Sequence, residues 1–326
     1  MLDKNKLVEY TAPVQDDLRD FDARLGDHLQ GASPLITSIA RHLLKTRGKR
    51  IRPAFVFLSS RAADNFTDFT VQASLAIELI HTATLLHDDV VDESDMRRGQ
   101  QTVNAEWTNL ISVLMGDYLF AKAFKIMVEA ESIELMRAIS HATERVSVGE
   151  LRQVEETGNY DLSEQEYTSI VADKTASLFT VSCEAGPILK SRPEQDRKRF
   201  ADFGEKIGIA FQVADDLLDY VGDAEITGKE PGNDVLTGKV TLPLIHSLRK
   251  VGRNSGREII QLLKDGRPES FRKVHAFVTE NGGIDYAYSR AEDLSAQALD
   301  AISGLPESPY LESLTSMVEF TTQRVA

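Results

Sequence analysis

Two short runs concentrate more carboxylate than a helix surface needs. They are Leu85-Leu86-His87-Asp88-Asp89-Val90-Val91-Asp92 and Val213-Ala214-Asp215-Asp216-Leu217-Leu218-Asp219. Both have paired aspartates, then two apolar residues, then a third aspartate. On a helix, Asp88 and Asp92 lie on one face a turn apart, and Asp215 and Asp219 do the same. One such cluster could be a solvated helix face or a set of capping acids. The apolar neighbours instead place these acids beside a core, where carboxylates repel one another unless cations neutralise them. Two clusters facing each other would suit hard divalent cations. Magnesium takes oxygen from one or two carboxylates and fills its shell with water and substrate phosphate. Neither run has the alternating acidic loop of an EF-hand.

The same helix faces extend backwards. His81 and Thr84 line up below Asp88, and Gly208 and Gln212 below Asp215, where the glycine would leave space and the amide would present a dipole. Cations gather elsewhere, in Gly48-Lys49-Arg50-Ile51-Arg52-Pro53 and in Arg97-Arg98-Gly99. Either alone reads as a charge cluster at a helix end. Beside two acidic clusters they describe something more specific, since a diphosphate needs divalent metal on one side and Arg or Lys on the other. Two separate basic groups point to two diphosphate sites. Lys174-Thr175, Lys229 and Lys239 are further candidates.

Helical periodicity runs through the chain, and alternating strands are scarce. The spacing predicts helices near 15–30, 34–46, 52–64, 69–93, 105–130, 133–156, 164–189, 195–222 and 240–250, with more amphipathic helices over 256–325. Long helices with short connections and no Pro-, Gly- or Ser-rich linker predict one all-α bundle spanning 1–326. A net charge of −14 argues against a nucleic-acid binder. The polar start, Met1–Glu9, has no secretory core. The longest apolar stretch, 73–86, is interrupted by Glu78 and His81, so no spanning helix is expected. Cys183, the one cysteine, lies in an apolar stretch and reads as a core residue. The lack of a possible intrachain disulfide fits a reducing, cytoplasmic setting.

These motifs, in this order, resemble the trans-isoprenyl (polyprenyl) diphosphate synthases over nearly the whole chain. The match includes GKRIRP at 48–53, IHTATLLHDDVVDESDMRRG at 80–99 and GDYL at 116–119. It continues with DKTASL at 173–178, FQVADDLLD at 211–219 and GKEPGNDVLTGKVTLPL at 228–244. Terpene cyclases of similar fold usually lack the second acidic motif and the GKRxRP segment. The sequence departs from the family at Gln100-Gln101, where Gly-x-Pro-Thr often follows the double arginine, and at Arg47, where a second glycine is common.

The resemblance implies a helical bundle of the isoprenoid synthase type with a central cavity, working as a homodimer. Asp88 and Asp92 would bind two magnesium ions and Asp215 with Asp219 a third. Arg97, Lys174, Lys229 and Lys239 would hold the allylic diphosphate, farnesyl or geranylgeranyl. Lys49, Arg52, His81 and Arg98 would hold isopentenyl diphosphate. Thr175 and Gln212 would aim their oxygens at the developing carbocation. Short-chain members tend to carry Phe or Tyr four or five residues before the first aspartate. Here Thr84 and Ala83 stand there, which implies an open tunnel and a product of about C30–C50, octaprenyl the best match, for quinone side chains. A deeper plug at Phe120, Phe124, Met127, Leu151 or Phe179 would instead give a farnesyl- or geranylgeranyl-length product. A non-catalytic subunit of a heteromeric synthase would be expected to have lost acidic positions, and all six aspartates are present.

Overall fold

Apolar residues three and four apart, with few β-branched runs, leave this chain little choice but helix. The computed structural model describes residues 4–31, 33–45, 48–97, 99–221, 232–265, 267 and 270–322. Among these the helices are α1 (Lys4–Tyr10), α2 (Gln15–Leu29), α3 (Pro34–Lys45), α4 (Ile51–Ala62) and α5 (Asp68–Val91). A two-stranded hairpin, β1 (Met96–Arg97) with β2 (Gln100–Gln101), follows, paired Met96 to Gln101 and Arg97 to Gln100. Then come α6 (Val103–Glu106), α7 (Asn109–Glu129), α8 (Ile133–Glu155), α9 (Glu164–Val171), a π-helical turn (Ala172–Ala176), α10 (Ser177–Leu189) and α11 (Glu194–Val221). The chain ends with α12 (Asn233–Leu236), α13 (Leu242–Asp265), α14 (Ser270–Glu280), α15 (Gly283–Ile302) and α16 (Pro309–Thr322).

The helix starts carry their own chemistry. Ser163 and Glu166 form a reciprocal capping box on α9, with Ser163 N donating to Glu166 Oε2 at 2.8 Å and Glu166 N to Ser163 Oγ at 3.2 Å. Thr108 Oγ1 accepts from Ile111 N at 3.2 Å and opens α7. That cap breaks the single helix expected over 105–130, because Trp107 leaves helical geometry to bring Thr108 into place. Other boundaries fall within two or three residues of expectation, except that α13 continues to Asp265 through a kink at Gly252, whose φ is +75°.

The core has two clusters, and α11 serves both. Its first half adds Phe200, Phe203 and Ile207 to a cluster with Phe21, Phe55, Phe57 and Phe179. Its second half adds Val213, Leu217 and Tyr220 to another with Tyr167, Leu244, Val274 and Ala287. Each fully buried large apolar side chain contributes about 1.5–3 kcal/mol, so α11 is held firmly at the end that carries the second acidic motif. Cys183 is fully buried, and burial pushes its thiol up to about 12, in keeping with a core residue.

By length and composition alone α5 is apolar enough to cross a membrane. In the fold it is a core helix, with 67% of its apolar window buried. Its interior acid, Glu78, is 6% exposed and accepts from Arg50 Nη1 at 2.8 Å, while Arg50 Nε reaches Asp22 at 2.9 Å. Arg50 stands in the left-handed region, at φ +52°, just before α4. This middle cation of the GKRIRP segment thus ties α2, α4 and α5 together. Arg50→Ala would strand Glu78 without a counter-charge and is expected to cost about 3–5 kcal/mol. Urea denaturation would measure this; a loss below 1 kcal/mol would show that Glu78 finds other relief.

Candidate active site

Asp88, Asp89 and Asp92 close the last turn of α5, and they divide by direction. Asp89 is buried at 4% exposure and accepts from Arg97 Nε at 2.8 Å, which docks the hairpin onto the helix. Asp88 is half-buried and Asp92 exposed. Desolvation first, then the neighbouring Glu150 carboxylate, pushes Asp88 up to about 7, against the opposing pull of Lys174 and Arg97. Asp88 is therefore surrounded by groups from α5, α8, the hairpin and the π turn.

The π turn places the next two candidates. One extra residue per turn at Ala172–Ala176 re-aims the side chains there, a device frequent at functional sites. Arg145 Nε holds Asp173 at 2.8 Å and Arg152 Nη1 reaches it at 3.4 Å, so α8 grips the turn from one side. Lys174 Nζ donates to Glu150 Oε2 at 2.7 Å. A Cβ on Gly149 would lie 2.4 Å from Lys174 N, and one on Gly208 would lie 2.6 Å from Ala176 Cα. The space expected at Gly208 is thus filled by the backbone of the π turn, which packs between α8 and α11.

On α11 the second cluster divides as the first does. Asp216 is 6% exposed and faces inward, Asp215 is exposed and Asp219 half-buried. Gln212 Nε2 donates to Asp216 Oδ1 at 2.8 Å, and Thr175 Oγ1 donates to Gln212 Oε1 at 2.7 Å. Burial and the Asp234 carboxylate push Asp216 up to about 7 and Asp219 to about 6. Asp219 also accepts from Gly232 N and Asp234 N, each at 3.1 Å, and so caps α12 from a distance. Gly232, at φ +92° with the Phe271 ring against it, leaves no room for a side chain.

Lys239 links the two clusters. Its Nζ lies 3.4 Å from Asp92 Oδ1 and 3.8 Å from Asp234 Oδ1, and despite burial its pKa is raised by these acids. One ammonium group thus joins the first acidic helix end to Asp234, whose backbone N–H in turn donates to Asp219 of the second. Among the described residues no three His, Cys, Asp or Glu side chains converge into a closed metal-ligand set.

The second cationic group lies lower on α5. Arg52 Nη1 approaches His81 Nε2 at 3.0 Å, and because an arginine only donates, that ring nitrogen is the acceptor. The Arg52 guanidinium also stacks 4.7 Å from the Phe179 ring centre. Lys49 is exposed. Arg98 and Lys229 lie outside the described residues. Below Asp88, Ala83 is fully buried and Thr84 half-buried, its hydroxyl donating back to His81 O at 2.8 Å.

The sequence profile of the family described as polyprenyl synthetase matches residues 33–280, more than half of the chain. The chain belongs to the polyprenyl synthetase family. The octaprenyl diphosphate synthase of Haemophilus influenzae is 36% identical, over 94% of each chain. The crystal structure of a decaprenyl diphosphate synthase from Rhodobacter capsulatus superposes with a TM-score of 0.92 at 31% identity, covering 99% of both chains. A polyprenyl synthase from Caulobacter crescentus, crystallised with calcium and isoprenyl diphosphate, gives 0.92 at 33% identity over 99% of this chain and 98% of that one. The isoprenoid-synthase bundle expected from the motifs is the fold observed, and this polyprenyl synthetase is a transferase of prenyl groups.

Several residues of the site escape a reading of the sequence. Glu150, Tyr167 and Asp234 touch or tune the acidic motifs and Lys174, and Arg145 with Asp173 holds the turn that carries Lys174 and Thr175. Arg145 and Arg152 stand seven apart on α8 and so share a face, which is the one signal that marks them. Two of the proposed tunnel plugs are corrected: Phe124 is 50% and Leu151 71% exposed, because both stand on outward faces of their helices. Phe179 and Met127 are buried in the core, and Phe120 packs beside His87.

Proposed function

We propose that this polyprenyl synthetase condenses an allylic diphosphate with successive isopentenyl diphosphates, in the trans sense, to give a long-chain polyprenyl diphosphate of about C30–C50 for quinone side chains. The observation that carries this reading is the pair of acidic helix ends joined through Lys239 and Asp234. Lifted carboxyl groups at Asp88 and Asp219 mark a site short of positive charge. The all-oxygen donor set fits magnesium, which draws few ligands from protein and the rest from phosphate and water.

Asp88 and Asp92 would hold two magnesium ions and Asp215 with Asp219 a third. Bound there, the ions would stabilise the charge that builds on departing pyrophosphate. Lys174, Arg97 and Lys239 would donate to the allylic diphosphate, releasing Glu150, Asp89 and Asp92 from their present pairs, with Lys229 beside them. Lys49, Arg52, His81 and Arg98 would hold isopentenyl diphosphate. Thr175 of the π turn and Gln212, one turn before the acids of α11, would face the allylic carbon as its C–O bond breaks. The isopentenyl double bond then forms the new C–C bond, and the proton lost passes to pyrophosphate. No protein nucleophile is needed. The test is incorporation of labelled isopentenyl diphosphate with farnesyl diphosphate and magnesium. Incorporation should vanish on chelation; incorporation that persists without metal, or none with it, would overturn this assignment.

The titration of the acids gives a second test. A carboxyl whose folded pKa is raised stays protonated in the folded chain, so its contribution to stability is present below the unfolded pKa and lost as pH rises through the folded one. With Asp88 and Asp216 raised from 3.8 to about 7 and Asp219 to about 6, the metal-free protein should lose thermal stability from about pH 4 to about pH 7. Magnesium should raise the melting temperature most at pH 8, where no proton has to leave. A magnesium shift equal at every pH would contradict this.

A homodimer fits the surface. Leu110, Val113, Leu114, Phe124 and Val128 are exposed on one face of α7, at helical spacing. A second copy of the chain covering that face would bury them. Leu114→Glu with Val128→Glu should yield a monomer in sedimentation velocity; an unchanged dimer would place the interface elsewhere.

A further inference from the structure

A buried polar chain runs from α9 to the π turn and fixes a direction. Tyr167 is 5% exposed, and its hydroxyl lies 2.6 Å from Asp216 Oδ2. In its ionised form Asp216 only accepts, so the tyrosine then donates. The other oxygen, Oδ1, accepts from Gln212 Nε2 at 2.8 Å. With Asp216 ionised the Gln212 amide has one sense: its nitrogen faces Asp216, so Oε1 faces Thr175. An amide oxygen only accepts, so Thr175 Oγ1 must spend its single proton on Gln212, at 2.7 Å. What remains on Thr175 is lone-pair density.

We propose that Tyr167 and Asp216 are positioning residues that, through Gln212, make Thr175 present lone pairs and not a proton to the allylic cation. This rests on the placement of Thr175 and Gln212 beside that cation in the function proposed above. Neither Tyr167 nor Asp216 is assigned to metal or substrate there. Without an acceptor-only partner, the Gln212 amide could turn over and offer its NH2 to Thr175. The threonine proton would then turn outward, and the positive end of its dipole would meet the developing positive charge. Catalysis of this kind depends on dipoles oriented in advance of the charge they stabilise. The location agrees with this use: the chain ends at the π turn, which is clamped through Asp173 by Arg145 and Arg152.

Asp216→Asn is the discriminating change, because it keeps the shape but supplies a donor that allows either amide sense. It should lower kcat by about tenfold or more, with both KM values and the magnesium half-saturation within about threefold of wild type. Tyr167→Phe, which keeps the packing and deletes only the hydroxyl, should show a smaller fall of the same kind and serves if Asp216→Asn does not fold. Thr175→Val should lose at least as much, and adding Asp216→Asn or Tyr167→Phe to it should cost less than a further twofold, since the relay then has nothing to orient. Full kcat in Asp216→Asn or, where that variant does not fold, in Tyr167→Phe would overturn this proposal alone. So would losses that multiply in the Thr175→Val background, as a merely structural role predicts. Wild-type enzyme unable to condense the two diphosphates would overturn the proposed function, and this proposal with it.

Discussion

Asp88→Ala is expected to lower kcat by about two to three orders of magnitude while leaving the helical fold in place. Burial first, and then repulsion from Glu150 and Asp92, lifts this half-buried carboxyl to about 7. Removing it relieves repulsion in the metal-free protein, so the melting temperature should hold or rise as activity falls. Asp215→Ala should match it in activity; this side chain is exposed, so its loss opens no cavity. Steady-state kinetics paired with thermal melts would show the separation. Near-normal turnover in either variant would sink the assignment of these aspartates to metal.

The second large effect is on product length. Thr84 lies one turn below Asp88 on the same helix face, and its hydroxyl is committed to His81 O, which leaves its methyl as the outer surface. Thr84→Phe should therefore shorten the product to about C15–C20 at little cost in stability. Ala83→Tyr should shorten it too, but Ala83 is fully buried, and forcing a large ring into a packed site costs about 1–3 kcal/mol. The two variants together separate a blocked tunnel from a disturbed core. Unchanged chain length in both, read by chromatography of the dephosphorylated products, would remove the tunnel argument.

The acidic motifs were legible in the sequence because an i, i+4 pair stays on one face whatever the rest of the chain does. The split between outward Asp88 and inward Asp89, or outward Asp215 and inward Asp216, follows from the same geometry. Helices were legible for a similar reason, since a 3.6-residue period is local. What the sequence hid was mostly set by packing between helices. The pairs Lys174–Glu150, Arg145–Asp173 and Tyr167–Asp216 join residues 24, 28 and 49 positions apart, and no local spacing announces them. The π turn was hidden inside an unbroken helical pattern, as was the role of Gly208 in letting α11 approach it. By composition alone α5 has the apolar character of a membrane span, because it runs through the middle of a bundle.

The most direct test of a long-chain synthase is the length of what the protein makes. Incubated with farnesyl diphosphate, labelled isopentenyl diphosphate and magnesium, it should yield a ladder of polyprenyl diphosphates ending near C40. A ladder that stops at C15–C20 with every primer would contradict the open tunnel proposed below Asp88, and no elongation at all would contradict the proposed active site itself.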